Sequence, residues 1–364
     1  MRTKALALLA LLLVSSASAS PVYNVIDLGT EPSEIFSIAC SINNNDQIVG
    51  GLSTGEWRAR LFDSTGGGDN INLGTLPSGS RSIARSINNN SIIVGEARNS
   101  SGVDRATFFD STGNSNNVDL GTLGGNRSYA YSINDNSKIV GRAYNASNVY
   151  RATLFDSTGS GNNIDLGTLG GSYSCAYSIS NSGLIVGWAQ RTTGGHWATI
   201  FDSTGSGNNI DLGWGEARSI NSNDQIVGFS YDTIDRHRAT LFDSTGGGNN
   251  IDLGTLPGYS YNMALSINNN DQIVGTAYNV FAGDNRATLF DPTGSGNNID
   301  LNTLIDPTLG WTLFEAYSIN DNGWIVGWGT KHGGNERAFL LTPEPATALL
   351  LCLGAALLRR RRKA

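Results

Sequence analysis

Between its two ends the chain alternates apolar runs of four to six residues with stretches of Asn, Asp, Gly and Ser. The segment Ile164 to Asp202 is typical: IDLGT, CAYSIS, LIVGWA and WATIFD read as four short strands, with Asn/Asp/Gly turns between them. Tyr129, Tyr131 and Ile133 alternate with small Ala130 and Ser132, so the strands are apolar on both faces, as a sheet covered on both sides requires. No segment between the ends carries a helical period.

The pattern repeats. The leucine of IDLGT recurs at Leu28, Leu73, Leu120, Leu166, Leu212, Leu253 and Leu301, at spacings of 45, 47, 46, 46, 41 and 48 residues. The glycine of IVG recurs at Gly50, Gly95, Gly141, Gly187, Gly228, Gly275 and Gly327, and the alanine of RATLFD also recurs seven times, from Ala59 to Ala338. Four strands in such a repeat, seven times over, predict an all-β, seven-bladed β-propeller of four-stranded blades spanning residues 20–342. The body begins with a lone IDLGT strand, Val25 to Thr30, and ends with a lone RAFLL strand, Arg337 to Leu341. Elsewhere these two are halves of one hairpin, so pairing of the terminal strands is expected to close the ring.

The ends have a different composition. Arg2 and Lys4 precede apolar Ala5 to Val14, and small residues follow at Ala17 and Ala19, the pattern of a signal peptide cleaved after residue 19. Residues 343–364 hold Pro343, Glu344 and Pro345, then the apolar run Ala346 to Leu358, then Arg359, Arg360, Arg361, Arg362 and Lys363. Thirteen apolar residues make a short helix of about 20 Å at 1.5 Å per residue, against a bilayer core of about 30 Å. This suits transient inner-membrane insertion better than a permanent anchor.

In its Pro-Glu-Pro, apolar segment and terminal arginines, the tail resembles the PEP-CTERM sorting signal of Gram-negative bacteria. That resemblance implies recognition by an exosortase partner, removal of the tail and delivery to the cell surface or the exopolysaccharide matrix. The repeat, clearest from Asp165 to Gly187, resembles the extracellular HAF family, although Arg-Ala-Thr-Leu-Phe-Asp stands where that family has His-Ala-Phe-Leu-Trp. The second resemblance implies secretion and a propeller-like fold but brings no activity with it.

Loss of both ends takes basic residues from 24 to 17 and acidic ones from 31 to 30, leaving a body of about −13. Such a charge argues against a nucleic-acid partner. Cys40 and Cys175 fall at different positions of their repeats and read as free thiols rather than a bridge. The aspartates of the LFD motifs (Asp63, Asp110, Asp156, Asp202, Asp243, Asp291) recur too often for a catalytic centre and read as turn residues that accept backbone hydrogen bonds. A loop such as Asp156 to Asp165 brings two carboxylates, whereas calcium takes six to eight oxygens, so no cofactor or metal is expected and calcium is the weaker alternative. His196, His237 and His332 lie in three different units and read as exposed loop residues.

If the strands of a blade run SIN, IVG, RATLF, IDLGT, the short Asn/Asp turns and the STGSGNN loops share one face. The opposite face then collects connections that differ in every unit. Trp57, Tyr150 and Trp197 fall just ahead of the RATLF strand and are expected to point alike, with Tyr144, Tyr231, Tyr278, Phe281 and Trp311 on the same face. These residues are the candidate ligand-binding set, for extracellular polysaccharide bound without catalysis. The alternatives are a secreted polysaccharide hydrolase or lyase, which needs unrepeated carboxylates such as Glu56, Asp104, Asp235 and Asp284 to converge, and a purely structural matrix scaffold.

Overall fold

The computed structural model describes residues 23–29, 35–280 and 282–344. The expected cleavage residues Ala17 and Ala19, together with Thr30, Phe281, Pro345 and Arg359 to Arg362, lie outside the described residues. Within them the chain is all-β, with antiparallel strands in six sheets. Five sheets have four strands, as in Phe36–Ile42, Ile48–Ser53, Trp57–Phe62 and Ile71–Gly74, hydrogen-bonded in that order. The strand order is therefore the SIN, IVG, RATLF, IDLGT order read from the sequence. The sixth sheet has seven strands because Ile210–Ile220 serves as the fourth strand of one unit and the first of the next. Two short 3-10 turns, Leu301–Leu304 and Pro307–Leu309, follow the sixth unit, where Asp300 and Asp306 cap them through the backbone N–H groups of Asn302 and Thr308.

The expected even alternation of the SIN strand is broken in every unit by one extra residue. Ala39 pairs with Gly50 and Ser41 with Val49, which leaves Cys40 unpaired. The same irregularity recurs at Arg85, Tyr131, Tyr177, Arg218, Leu265 and Tyr317. Such a bulge re-aims one side chain and deepens the local twist. It also explains the invariable glycine of IVG. At Gly187 an added Cβ would stand 2.0 Å from the Cys175 carbonyl oxygen, and the six equivalent glycines meet the same obstruction.

The apolar cores lie between consecutive units. Val49 and Ala59 of the first unit pack with Ala84, Ile87, Ile93 and Phe109 of the second, and Val326, Ala338 and Leu340 of the last pack with Ala39, Ile42 and Ile48 of the first. Polar side chains join the same neighbours. The Asn43 side chain donates to the Asn88 carbonyl, Asn88 to Asn134, Asn134 to Ser180, Asn221 to Asn268, Asn268 to Asn320, and Asn320 back to Asn43, all at 2.8 to 3.0 Å. The series breaks once, at Ser180, whose short side chain bonds Ser182 instead. At the other end of the sheets, the Ala338 backbone N–H donates to the Ser37 hydroxyl at 2.9 Å.

Tyr23–Asp27 pairs antiparallel with Glu336–Pro343, from Tyr23 opposite Pro343 to Asp27 opposite Phe339. The first and last described strands thus pair as expected, but the pairing starts two residues earlier at the N-terminal side and takes in Pro343. Pro343 and Glu344 are described residues, and Pro343 ends the last strand. Among the described residues no helix is long and apolar enough to cross a membrane.

Replacing Gly187 with Ala tests the link between bulge and glycine. The added methyl meets backbone, so the variant is expected to lose about 3 kcal/mol or more, at the upper end of overpacking costs. Gly207→Ala, where nothing lies within 4 Å and φ is +87°, is expected to cost only about 1–2 kcal/mol. Denaturant unfolding of the two variants measures the difference.

Candidate functional site

The repeated polar residues build the frame. Asp156 accepts from the Thr158 backbone N–H at 3.0 Å and from its hydroxyl at 2.8 Å. These bonds pull its carboxyl down to about 2, and the same contacts lower Asp63, Asp110, Asp202, Asp243 and Asp291. The last asparagine of each such loop clamps the preceding unit: Asn163 donates to the Leu120 carbonyl at 2.8 Å while accepting from the Asp156 N–H. The IDLG aspartates accept from the backbone two residues on, and several pair with the arginine of RATLF, as Asp119 does with Arg105 and Asp252 with Arg238. Among the described residues no group of three or more His, Cys, Asp or Glu side chains could hold a metal ion.

What differs from unit to unit converges elsewhere. The seven bulge residues, with Ile38, line a cavity of about 250 Å³ between the first strands. A separate hollow of about 180 Å³ is ringed by the Ile-Asn pairs at the ends of the same strands, with Ile179 and Ser180 in the fourth unit. Neighbouring first strands touch in succession, and Trp311–Ile319 touches Phe36–Ile42. The order around the cavity is therefore Cys40, Arg85, Tyr131, Tyr177, Arg218, Leu265, Tyr317.

Each cavity arginine is held from behind by a carboxylate. Glu96, 2% exposed, accepts from Arg85 Nε at 3.0 Å and from Nη2 at 2.7 Å. Glu216, 5% exposed, lies 2.7 Å from Arg218 Nη2 and 2.7 Å from His196 Nδ1. Burial alone would raise the Glu216 carboxyl, but the Arg218 charge and the bonds from His196 and Tyr177 hold it below the ordinary glutamate range. Arg218 also lies 4.2 Å from the centre of the Tyr177 ring. Among the described residues Cys40 and Cys175 are free, and burial pushes Cys40 up to about 11 and Cys175 up to about 12, so neither thiol is poised as a nucleophile.

The aromatic candidates divide into groups. Tyr144 and Tyr150 stand opposite each other across paired strands, ring centres 5.7 Å apart, and Tyr150 continues to Tyr173 at 4.8 Å and Trp188 at 6.1 Å. Trp188 stacks on His196 at 3.6 Å. Tyr231 lies 4.9 Å from Trp214 and 5.2 Å from His237, whose Nδ1 is 2.8 Å from the Tyr278 hydroxyl. His196 and His237 are thus half-buried strand residues, and only His332 is an exposed turn residue. Trp57 stands apart, packed over Gly51, and Trp311 is buried against Phe339.

Trp57, Tyr150 and Trp197 do not point alike. Trp57 and Tyr150 stand two residues before the strand's alanine, where the fourth unit has His196; Trp197 takes the place of the arginine and so faces the other side of its sheet. Arg191 fills the vacancy. Its guanidinium lies 3.4 Å from the Trp197 ring centre and bonds Asp211 through Nε at 2.6 Å. Trp197 pairs across the strands with Trp214, which is 39% exposed because the fifth unit runs straight from Leu212 to Ala217 without the loop seen elsewhere. Of the unrepeated carboxylates, Asp104 bonds Arg98, and Asp284 bonds Arg286 and Tyr259 in a different sheet.

Sequence reasoning missed the cavity. Its signal is the frame Ala-x-Ser-Ile, constant in all seven units except at x. Glu216→Gln is expected to destabilise the protein by about 2–3 kcal/mol, less than for a fully buried pair because Arg218 is partly exposed to the cavity. Asp252→Asn, which weakens the pair between exposed Asp252 and half-buried Arg238, is expected to cost under about 1 kcal/mol. Chemical denaturation distinguishes the two.

Compared with known proteins, the chain matches no family model and is similar to no curated protein.

Proposed function

We propose that this chain is an exported, non-enzymatic protein of the cell surface or extracellular matrix, folded as a closed seven-bladed β-propeller, that holds polysaccharide on its rim. The ring reading is supported by the asparagine series that returns from Asn320 to Asn43, by the Ala338 to Ser37 bond, and by pairing of Tyr23–Asp27 with the last sheet. Export rests on the leader and the PEP-CTERM-like tail, and the exosortase partner on that tail alone.

The observation that carries the binding reading is the notch at the fifth unit. Exposed Trp214, flanked by Trp197 and Tyr231, offers flat apolar faces edged by polar atoms, and the absent loop leaves them open to an extended chain. Arg191 pins Trp197 in place, so little side-chain freedom is lost on binding. A body of about −13 disfavours strongly anionic polymers at long range and leaves neutral or cationic glycans as the preferred class.

Retention on immobilised neutral exopolysaccharide is expected for the wild type, with at least tenfold weaker binding for Trp214→Ala combined with Tyr231→Ala and no change for Trp57→Ala. No retention of folded wild type, or equal binding by the double variant, would leave a structural scaffold as the better reading. For the export reading, the intact mass of surface material is expected to lack residues 1–19 and the basic tail; retention of Arg359 to Lys363 there overturns it.

A further inference from the structure

We propose that the cavity between the bulge residues binds a small carboxylate-bearing polyol, of the sugar-acid class. Its polarity is one-sided. Arg85, Tyr131, Tyr177 and Arg218 follow one another along one arc, while Leu265 and Tyr317 belong to the other. At about 250 Å³ the space lies below the roughly 300–1,000 Å³ of pockets for drug-sized ligands, which limits the occupant to about one sugar ring.

The arginines are held in a form that suits a carboxylate. Glu96 occupies the Nε and Nη2 edge of Arg85 and leaves Nη1 over. Glu216 Oε2 lies 2.7 Å from Nη2 of Arg218 as an ion pair without hydrogen-bond alignment, and Arg218 Nε is out of water with no partner. A planar guanidinium fixed along one edge presents its remaining N–H groups at a set angle, the arrangement that charge-assisted recognition of a carboxylate needs.

The charges near the cavity balance in number, but their placement favours an anion on one arc. Glu96 and Glu216 balance Arg85 and Arg218, but a third cation, Arg142, has no carboxylate partner among the described residues. It lies among the rings of Tyr129, Tyr131 and Tyr150, at 4.8 to 5.8 Å from their centres, and its buried Nε is unpaired. Glu315 is the opposing charge, and it interacts with Tyr317 on the far arc. The field thus runs across the cavity and directs a carboxylate toward units two to five. With screening over about 8 Å at physiological salt, these groups outweigh the distant negative surface. Hydroxyls of the ligand would meet the phenol of Tyr131, which burial keeps protonated.

The cavity lies apart from the exposed Trp214 notch, and calorimetric titration of the purified protein separates the two. Glucuronate is expected to bind saturably, with glucose, acetate and inorganic phosphate each at least tenfold weaker. Arg218→Gln is expected to weaken glucuronate at least tenfold. Tyr131→Phe, which removes one hydroxyl and preserves the packing, is expected to weaken it about threefold, and Trp214→Ala to leave it unchanged. The proposal is overturned if folded wild type takes up no glucuronate, or if phosphate or acetate binds as tightly. It is equally overturned if Tyr131→Phe and folded Arg218→Gln both bind as the wild type does.

Discussion

One steric constraint governs this molecule: in each unit a bulge in the first strand brings a carbonyl to where the Cβ of the facing residue would be. Only glycine fits there, and so the IVG motif is constant. In return, one side chain per unit is released from strand pairing and aimed at the cavity. The residues that a repeat must keep and the one it can vary are thus two sides of the same backbone irregularity. Structure and chemistry are separated at the level of single positions within a strand.

Repetition explains the polar frame in the same way. An isolated four-stranded unit has two apolar faces and cannot bury either alone, so each core is shared between neighbours. Asparagines cross the same boundaries, their amides giving one bond to the next unit's carbonyl and taking another from their own turn, as Asn134 does with Ser180 and Lys138. An amide both donates and accepts, which a serine at Ser180 does at shorter reach. The local substitution at that boundary is compensated by Ser182, whose hydroxyl extends to Asp224.

Strand order, the meeting of the terminal strands and the turn role of the aspartates were legible in the sequence because each depends on residues that recur from unit to unit. Side-chain direction was not. Counting Trp197 with Trp57 and Tyr150 went wrong by one position, and in a strand one position reverses the face. The bulge was hidden for a similar reason: Tyr129, Ala130, Tyr131, Ser132 looks like regular alternation, yet Tyr129 and Tyr131 stack 6.3 Å apart and the register slips at Ser132. Nothing in the periodicity distinguishes these cases. The variable residue inside an otherwise constant motif does, once a glycine is seen to oppose it.

The fifth unit shows how a deletion can create two features at once. With only Gly213, Trp214 and Gly215 between the IDL and Glu-Ala-Arg-Ser segments, one strand, Ile210–Ile220, runs on from one unit into the next. The missing loop exposes Trp214 at the rim, and the same taut path sets Glu216 within reach of His196 on the preceding unit. His196 stacks on Trp188, whose indole N–H donates to the Tyr177 hydroxyl at 3.2 Å, while Glu216 holds Arg218. A packed, hydrogen-bonded path therefore joins the aromatic rim to the cavity wall across a single unit boundary.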